Sequence, residues 1–214
     1  MSGSYLLFAS AGAGSAIVEA GLALSGLPYA VDEVDPWTEG PGRERLRAAN
    51  PLLQVPALRL PDGRIMTESA AMLLHIADQA PEAGLAPPAA DDARPDFLRW
   101  LVFLVASLYP TFTFGDDPKR WVDGPGPAAD ALRRSSDAAR EAMWRQVEAA
   151  AGAPWLLGGR FSALDLYVAA MVHWRPRRAW FAAECPRLDA IATRALALPA
   201  LQPVWRRNGF VADA

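Results

Sequence analysis

The chain has 214 residues, enough for one large domain or two small ones, and 52% hydrophobic against 21% charged residues supplies a packed core. A formal net charge of −3 weighs against nucleic acid as the main partner, because phosphate binding needs a concentrated positive surface; the arginines at Arg133–Arg134, at Arg175, Arg177 and Arg178, and at Arg206–Arg207 read as solvated faces. One cysteine, Cys185, allows no internal disulfide and fits a reducing compartment.

The opening "MSGSYLLFAS" has neither a basic start nor a long apolar run, so a signal peptide is not expected and the location reads as cytoplasmic. "YLLFA" (5–9) is a short apolar run predicted as a buried strand. A Gly/Ala/Ser turn follows, then "AIVEAGLALSG", a helix ending at Gly26. "YAVDEVD" (29–35) alternates as a second strand, and "GRERLRAANP" (42–51) is a short polar helix stopped by Pro51. "PALRL", the turn "PDG" and "RIMT" form a hairpin, since Asp-Gly is a strong turn signal. "ESAAMLLHIADQA" closes the unit as an amphipathic helix, giving the order β-α-β-α-β-β-α and helices against a mixed sheet.

The Pro-, Ala- and acid-rich "PEAGLAPPAADDARP" marks a boundary, placing domains at 1–81 and 95–214 with a linker at 82–94. Helices are predicted at 95–109, 128–151, 162–173 and 187–196, with a loop through "FGDDPKRWVDGPGP". "FLRWLVFLVASLY" is strongly apolar but stops at Pro110, too short for a membrane span and better suited to a buried helix. Seven of the eight tryptophans lie in this second half, most of them as core. In "GGRFSALDLYVAAMV" (158–172), Ser162 and Asp165 are spaced as N-cap and N3 of a capping box, with Phe161 and Leu166 at the positions of a hydrophobic staple. The box is structural, and losing it should cost about 1 kcal/mol or more.

Three motifs carry a family resemblance: "NPLLQVPAL" (50–58), "DGRIMTESAAMLLHIAD" (62–78) and the Phe-Ser-x-x-Asp of residues 161–165. With the domain order, they make nearly the whole chain resemble the soluble, bacterial-type glutathione S-transferase superfamily. The resemblance implies a thioredoxin-like N-terminal domain and an all-helical C-terminal domain. It implies a cis bond before Pro56 and a Val55 backbone that pairs with the cysteinyl unit of glutathione as an added strand would, with Gln54 nearby. It also implies a helix start at Glu68–Ser69 where Ser69 meets the γ-glutamyl carboxylate and Glu68 the ammonium. Glutathione would be co-substrate, a small apolar electrophile the other reactant and a homodimer the assembly, in a detoxifying role, with no metal, nucleic acid or membrane involved.

One departure concerns the thiol. A free thiol has a pKa of about 8.5, so thiolate must be stabilised. In "LLFASAGAGSAIVEA", Phe8 falls where tyrosine-type members carry their hydroxyl and Gly14 where cysteine-type members carry their thiol. Ser10 and Ser15 remain as candidate catalytic residues, Ser10 slightly ahead, with backbone N–H groups from Gly12 to Ser15 sharing the task. Ser15 serves equally well as a helix cap. The electrophile pocket would draw on Phe8, Tyr109, Phe112 and Trp121. The same resemblance admits a non-catalytic glutathione-binding or regulatory protein, which Phe8 favours, or a glutathione-dependent isomerase, reductase or lyase. A rival dinucleotide fingerprint lacks its third glycine, with Ile17 in that place. His75 and His173 are too far apart in sequence to suggest a metal cluster.

Overall fold

A computed structural model of the chain describes residues 3–212. Two compact units are present. One holds the residues up to Pro88 together with the segment from Thr193 onward, and the other spans Ala89–Ala192. The segment from Thr193 onward, which falls within the 95–214 stretch expected as a helical domain, groups with the first unit.

The first unit contains β1 (Tyr5–Ala9), α1 (Ser15–Ser25), β2 (Tyr29–Glu33), α2 (Pro41–Ala49), β3 (Ala57–Arg59), β4 (Ile65–Met66) and α3 (Ser69–Gln79), in the predicted order. The strands form one sheet in the order β2-β1-β3-β4, with β1 and β2 parallel and the β1–β3 and β3–β4 pairs antiparallel. Period-two alternation in β1 divides the side chains between the two faces. Leu7 is fully buried. Phe8 enters a cluster with Val34, Leu46 and Ala57, to which Leu6, Leu53 and Val55 add. α1 packs on α3, and it ends at Gly26 in the left-handed conformation that glycine adopts without steric cost. This small mixed sheet with its helices, followed by helix alone, is the thioredoxin-like plus all-helical architecture that the sequence predicted.

The second unit holds α4 (Arg94–Val102), a wide π-turn at Phe103–Leu108, α5 (Tyr109–Asp116), α6 (Pro127–Ala150), α7 (Ala163–Met171), α8 (Arg178–Glu184) and most of α9 (Pro186–Leu196). Two predictions need correction here. The apolar helix does not stop at Pro110, and Arg94–Asp116 runs as one helical stretch of 23 residues. Pro110 sits in the first turn of α5, directly after the π-turn, where its missing N–H breaks no regular helical ladder. The stretch is therefore long and apolar enough to cross a membrane by length and composition. Its Phe97, Trp100, Leu101, Leu104, Leu108, Thr111 and Phe112 are buried at helical spacing, a core-facing stripe. The predicted loop from Phe114 likewise begins only after Asp116. Two helices were missed altogether, α8 and, in the first unit, α10 (Gln202–Arg207), both shorter than two and a half turns.

α7 is buried along its whole length, so its ends have no water to satisfy them. The capping box does this instead. Ser162 N–H donates to Asp165 Oδ2 at 2.8 Å, Leu164 N–H donates to Ser162 Oγ at 3.3 Å, and Leu156 N–H donates to Asp165 Oδ1 at 2.8 Å. Burial pushes the Asp165 carboxyl up to about 6, against the pull of those donors.

Candidate functional site

The register of the sheet decides which residues meet at its end. Phe8 pairs with Ala57, so the antiparallel β1–β3 register carried two residues on sets Ser10 opposite Val55. Leu58 pairs with Met66, the last residue of β4, and Ser69 opens α3 three residues further on. On the other side Ala9 pairs with Glu33, and Val34 N–H donates to Ala9 C=O at 2.8 Å. In strand order, Val34, Ser10, Val55 and Ser69 thus each lie one to three residues beyond the same edge of the sheet, a row by chain position. A pocket of about 410 Å³ lies at the same end, lined by Ser10, Ala11, Glu33, Val34, Asp35 and Trp37. Trp37, absent from the sequence-based candidates, is 75% exposed at its rim, and its N–H is held by Asp35 Oδ1 at 2.9 Å.

Val55–Pro56 is a cis peptide, as the resemblance implied. Among the described residues neither the N–H nor the C=O of half-buried Val55 takes part in a hydrogen bond. Both are available to an extended chain laid alongside. The loop before it is braced by Asn50, a buried residue whose Nδ2 donates to Gln54 C=O at 2.9 Å while its Oδ1 accepts Leu52 N–H at 3.1 Å. This explains why an Asn-Pro precedes the Val-Pro at this spacing. The Gln54 side is exposed, and Pro56 is half-buried.

Ser69 is the first residue of α3, and Glu68 is its N-cap. Glu68 has φ 67°, ψ 103°, a left-handed backbone that costs a non-glycine residue about 1–3 kcal/mol and tends to occur where function demands it. The Glu68 side chain is exposed and makes no ion pair or hydrogen bond among the described residues. A helix N-terminus carries a partial positive charge, and with the Glu68 carboxylate beside it the pair can take a group carrying both charges, a carboxylate for the first and an ammonium for the second.

Ser10 and Ser15 differ sharply. Ser15 is fully buried; its Oγ donates to Ser10 C=O at 3.1 Å and accepts Ser10 N–H at 3.1 Å. It closes the turn, and its proton is already committed. Ser10 Oγ is half-exposed in the pocket lining and makes no hydrogen bond among the described residues. Of the backbone groups expected to share the task, Gly12 N–H donates to Asn208 Oδ1 at 3.1 Å and Ala13 N–H to Ser10 C=O at 3.1 Å. A pyrophosphate would find the Gly12 amide occupied. Ala11 N–H, in the pocket lining beside Ser10, has no partner among the described residues.

In the helical unit Tyr109 and Phe112 do come together, with ring centroids 6.1 Å apart, and Trp174 joins them at 5.6 and 5.4 Å. Buried Arg140 holds its guanidinium 4.1 Å over the Phe112 ring and donates to Thr111 C=O at 2.7 Å. Desolvation, then the neighbouring Tyr167, push the Tyr109 hydroxyl well above its ordinary value, so it stays a donor at neutral pH. Trp121 is set apart, 51% exposed and paired edge-on with Phe114 at 5.0 Å. Phe8 lies in the core cluster of the first unit. Trp174 was passed over in the sequence because nothing distinguishes it from the other core tryptophans. Among the described residues no three His, Cys, Asp or Glu side chains converge, and His75 Nε2 lies 3.2 Å from Tyr5 Oη.

Comparisons with known proteins identify the family. The family described as Glutathione S-transferase, N-terminal domain, matches residues 15–79. An uncharacterized GST-like protein of Escherichia coli strain K12, YncG, is 38% identical over 202 residues, covering 94% of this chain and 96% of that protein. Glutathione S-transferase GST-4.5 of Xanthomonas campestris is 30% identical over 191 residues, covering 86% of this chain and 89% of that one. The chain belongs to the glutathione S-transferase family. A sphingomonad glutathione S-transferase, solved in complex with glutathione, is 29% identical and superposes with a TM-score of 0.75 over 96% of this chain and 100% of its own. Within this glutathione S-transferase fold, the row from Ser10 to Ser69 lies in the thioredoxin-like unit, and the cis peptide and the strained Glu68 flank it.

Proposed function

We propose that the chain binds glutathione along the row Ser10–Val55–Ser69 and conjugates its thiolate to small apolar electrophiles. The single observation that carries the reading is the unpaired Val55 backbone at the centre of that row. The cysteinyl N–H and C=O pair with Val55 as an added strand. The γ-glutamyl carboxylate meets the Ser69 end of α3 and its ammonium meets Glu68. That ordering brings the thiol to Ser10, whose Oγ–H, with Ala11 N–H, stabilises the thiolate. Holding both reactants supplies proximity. The sulfur attacks the electrophilic carbon, the C–S bond forms, and the leaving group departs with its electron pair after the thiol proton has gone to solvent. An apolar pocket for the electrophile belongs to the proposal on the strength of the resemblance alone. A homodimer and a cytoplasmic location belong to the same proposal, on the strength of the resemblance alone.

Phe8 supports a second reading, a glutathione-binding protein without turnover, because a phenyl ring in the core donates no hydrogen bond. Calorimetry with glutathione and conjugation of a generic aryl halide separate the two, run on the parent and on Ser10→Ala. Turnover that falls in Ser10→Ala with binding kept identifies the donor. Binding without turnover in the parent selects the second reading, and no binding at millimolar glutathione rejects both.

A further inference from the structure

We infer that Asn208, the C-cap of α10, is a positioning residue for the turn that carries Ser10 and Ala11. The inference rests on the glutathione reading above for its chemistry, though not for its geometry.

The turn from Ser10 to Ser15 is held by two side chains. Ser15 grips its ends from α1. Asn208, 7% exposed, grips its middle by accepting Gly12 N–H at 3.1 Å. Gly12 has φ 72°, and this bond fixes the amide where a left-handed backbone puts it. The Asn208 amide is oriented without ambiguity. Its Nδ2 faces Val204 C=O at 2.8 Å and Glu19 Oε2 at 3.3 Å, so turning it over would set donor against donor at Gly12. Glu19 completes the assembly. It is 2% exposed in an otherwise apolar helix, and its second oxygen is ion-paired with Arg207. A buried carboxylate is costly unless paired, and a fully satisfied polar network rigidifies what it joins. Leu201, Val204 and Trp205 are buried and give α10 an apolar seat. The polar trio adds a fixed direction for the Gly12 amide, one residue from Ala11 and two from Ser10.

The consequence falls on thiolate stabilisation and spares glutathione binding, because Val55 and Ser69 lie outside this turn, before β3 and at the start of α3. Losing the Asn208 acceptor frees the Gly12 peptide, and the donors at Ser10 and Ala11 lose their aim. The measurements are amide hydrogen exchange at Gly12 in the ligand-free protein, and the ultraviolet titration of the glutathione thiol bound to the protein. The variants are Asn208→Ala and Asn208→Ser, whose hydroxyl is too short to reach Gly12. Val204→Ala serves as a control that loosens α10 without touching the bond.

Exchange at Gly12 should quicken about tenfold or more in the Asn208 variants, as local opening becomes easier. The bound thiol pKa should rise by roughly one unit, and kcat fall about tenfold with KM for glutathione nearly unchanged. Val204→Ala should lower Tm while leaving the thiol pKa at its parental value, a split that a purely structural role of Asn208 would not produce. Parental exchange at Gly12 and a parental thiol pKa in either folded Asn208 variant overturn the inference. A parent that binds no glutathione overturns the reading beneath it, and exchange at Gly12 then decides the clamp by itself.

Discussion

Replacing Asp165 with asparagine tests the one buried carboxylate whose energetics the structure spells out. The side chain is fully buried and accepts two backbone N–H groups, from Ser162 and Leu156, each at 2.8 Å. Asparagine keeps one acceptor and turns a donor toward the other N–H, leaving a buried donor unsatisfied at a cost of about 1–3 kcal/mol. Charge adds a pH dependence. The carboxyl titrates near 6 in the folded chain against 3.8 as its ordinary value. Because the folded pKa is raised, the folded state binds the proton more tightly. The group's contribution is fully present below about pH 4 and is lost as pH rises through about 6. Linkage with those two values gives a loss of about 1.4 kcal/mol between roughly pH 5 and pH 7.5. Asparagine does not titrate, so the stability gap between parent and variant should shrink by that amount over the same interval. Urea denaturation followed by tryptophan fluorescence at the two pH values measures the gap. A gap that stays constant or widens toward pH 7.5 would refute the reasoning, since it would mean that the two N–H donors outweigh desolvation and hold the folded carboxyl low.

Other substitutions divide binding, activation and stability. Ser69→Ala should weaken glutathione binding by about 1–3 kcal/mol, as expected for a lost hydrogen bond to a charged group; unchanged affinity by calorimetry would move the γ-glutamyl site elsewhere. Ser15→Ala should lower stability by about 1–2 kcal/mol, because it leaves the buried ends of the Ser10 turn unpaired; a Tm equal to the parent's would show that the turn closes without it. Cys185 is buried, and desolvation, then Glu148, push its thiol up to about 12. A thiol reagent at neutral pH should therefore modify it only after unfolding, and rapid labelling of the native protein would contradict this environment.

Much of the thioredoxin-like unit was legible because its signals are local. A short apolar run marked β1 and alternation β2, Asp62–Gly63 marked the hairpin, and Gly26 ended α1 where a left-handed residue was needed. The Ser162–Asp165 box was legible for the same reason, since a cap is a contact between residues three apart. Where the local rule met a long-range demand it failed. Pro110 reads as a stop, yet the helix continues through it because a π-turn and a buried stripe outweigh the missing bond. Short helices such as α8 and α10 carry too few residues for a periodic pattern, and their stability comes from packing.

The candidate site divides along the same line. The family resemblance carried by the motifs proposed Val55, Pro56, Glu68 and Ser69, and the fold supplies the cis Val55–Pro56 bond and the helix start at Ser69 that it implied. Two points were left to the tertiary structure. It separated Ser10 from Ser15, which no spacing distinguishes, by burying one hydroxyl in the turn and leaving the other at the pocket. It also brought Asn208 to Gly12 across 196 positions of chain and matched buried Glu19 with Arg207. Sequence patterns record which backbone conformations and faces a segment prefers. Which hydrogen-bonding group is consumed and which is left open depends on partners supplied from elsewhere in the chain, and only the folded molecule sets those.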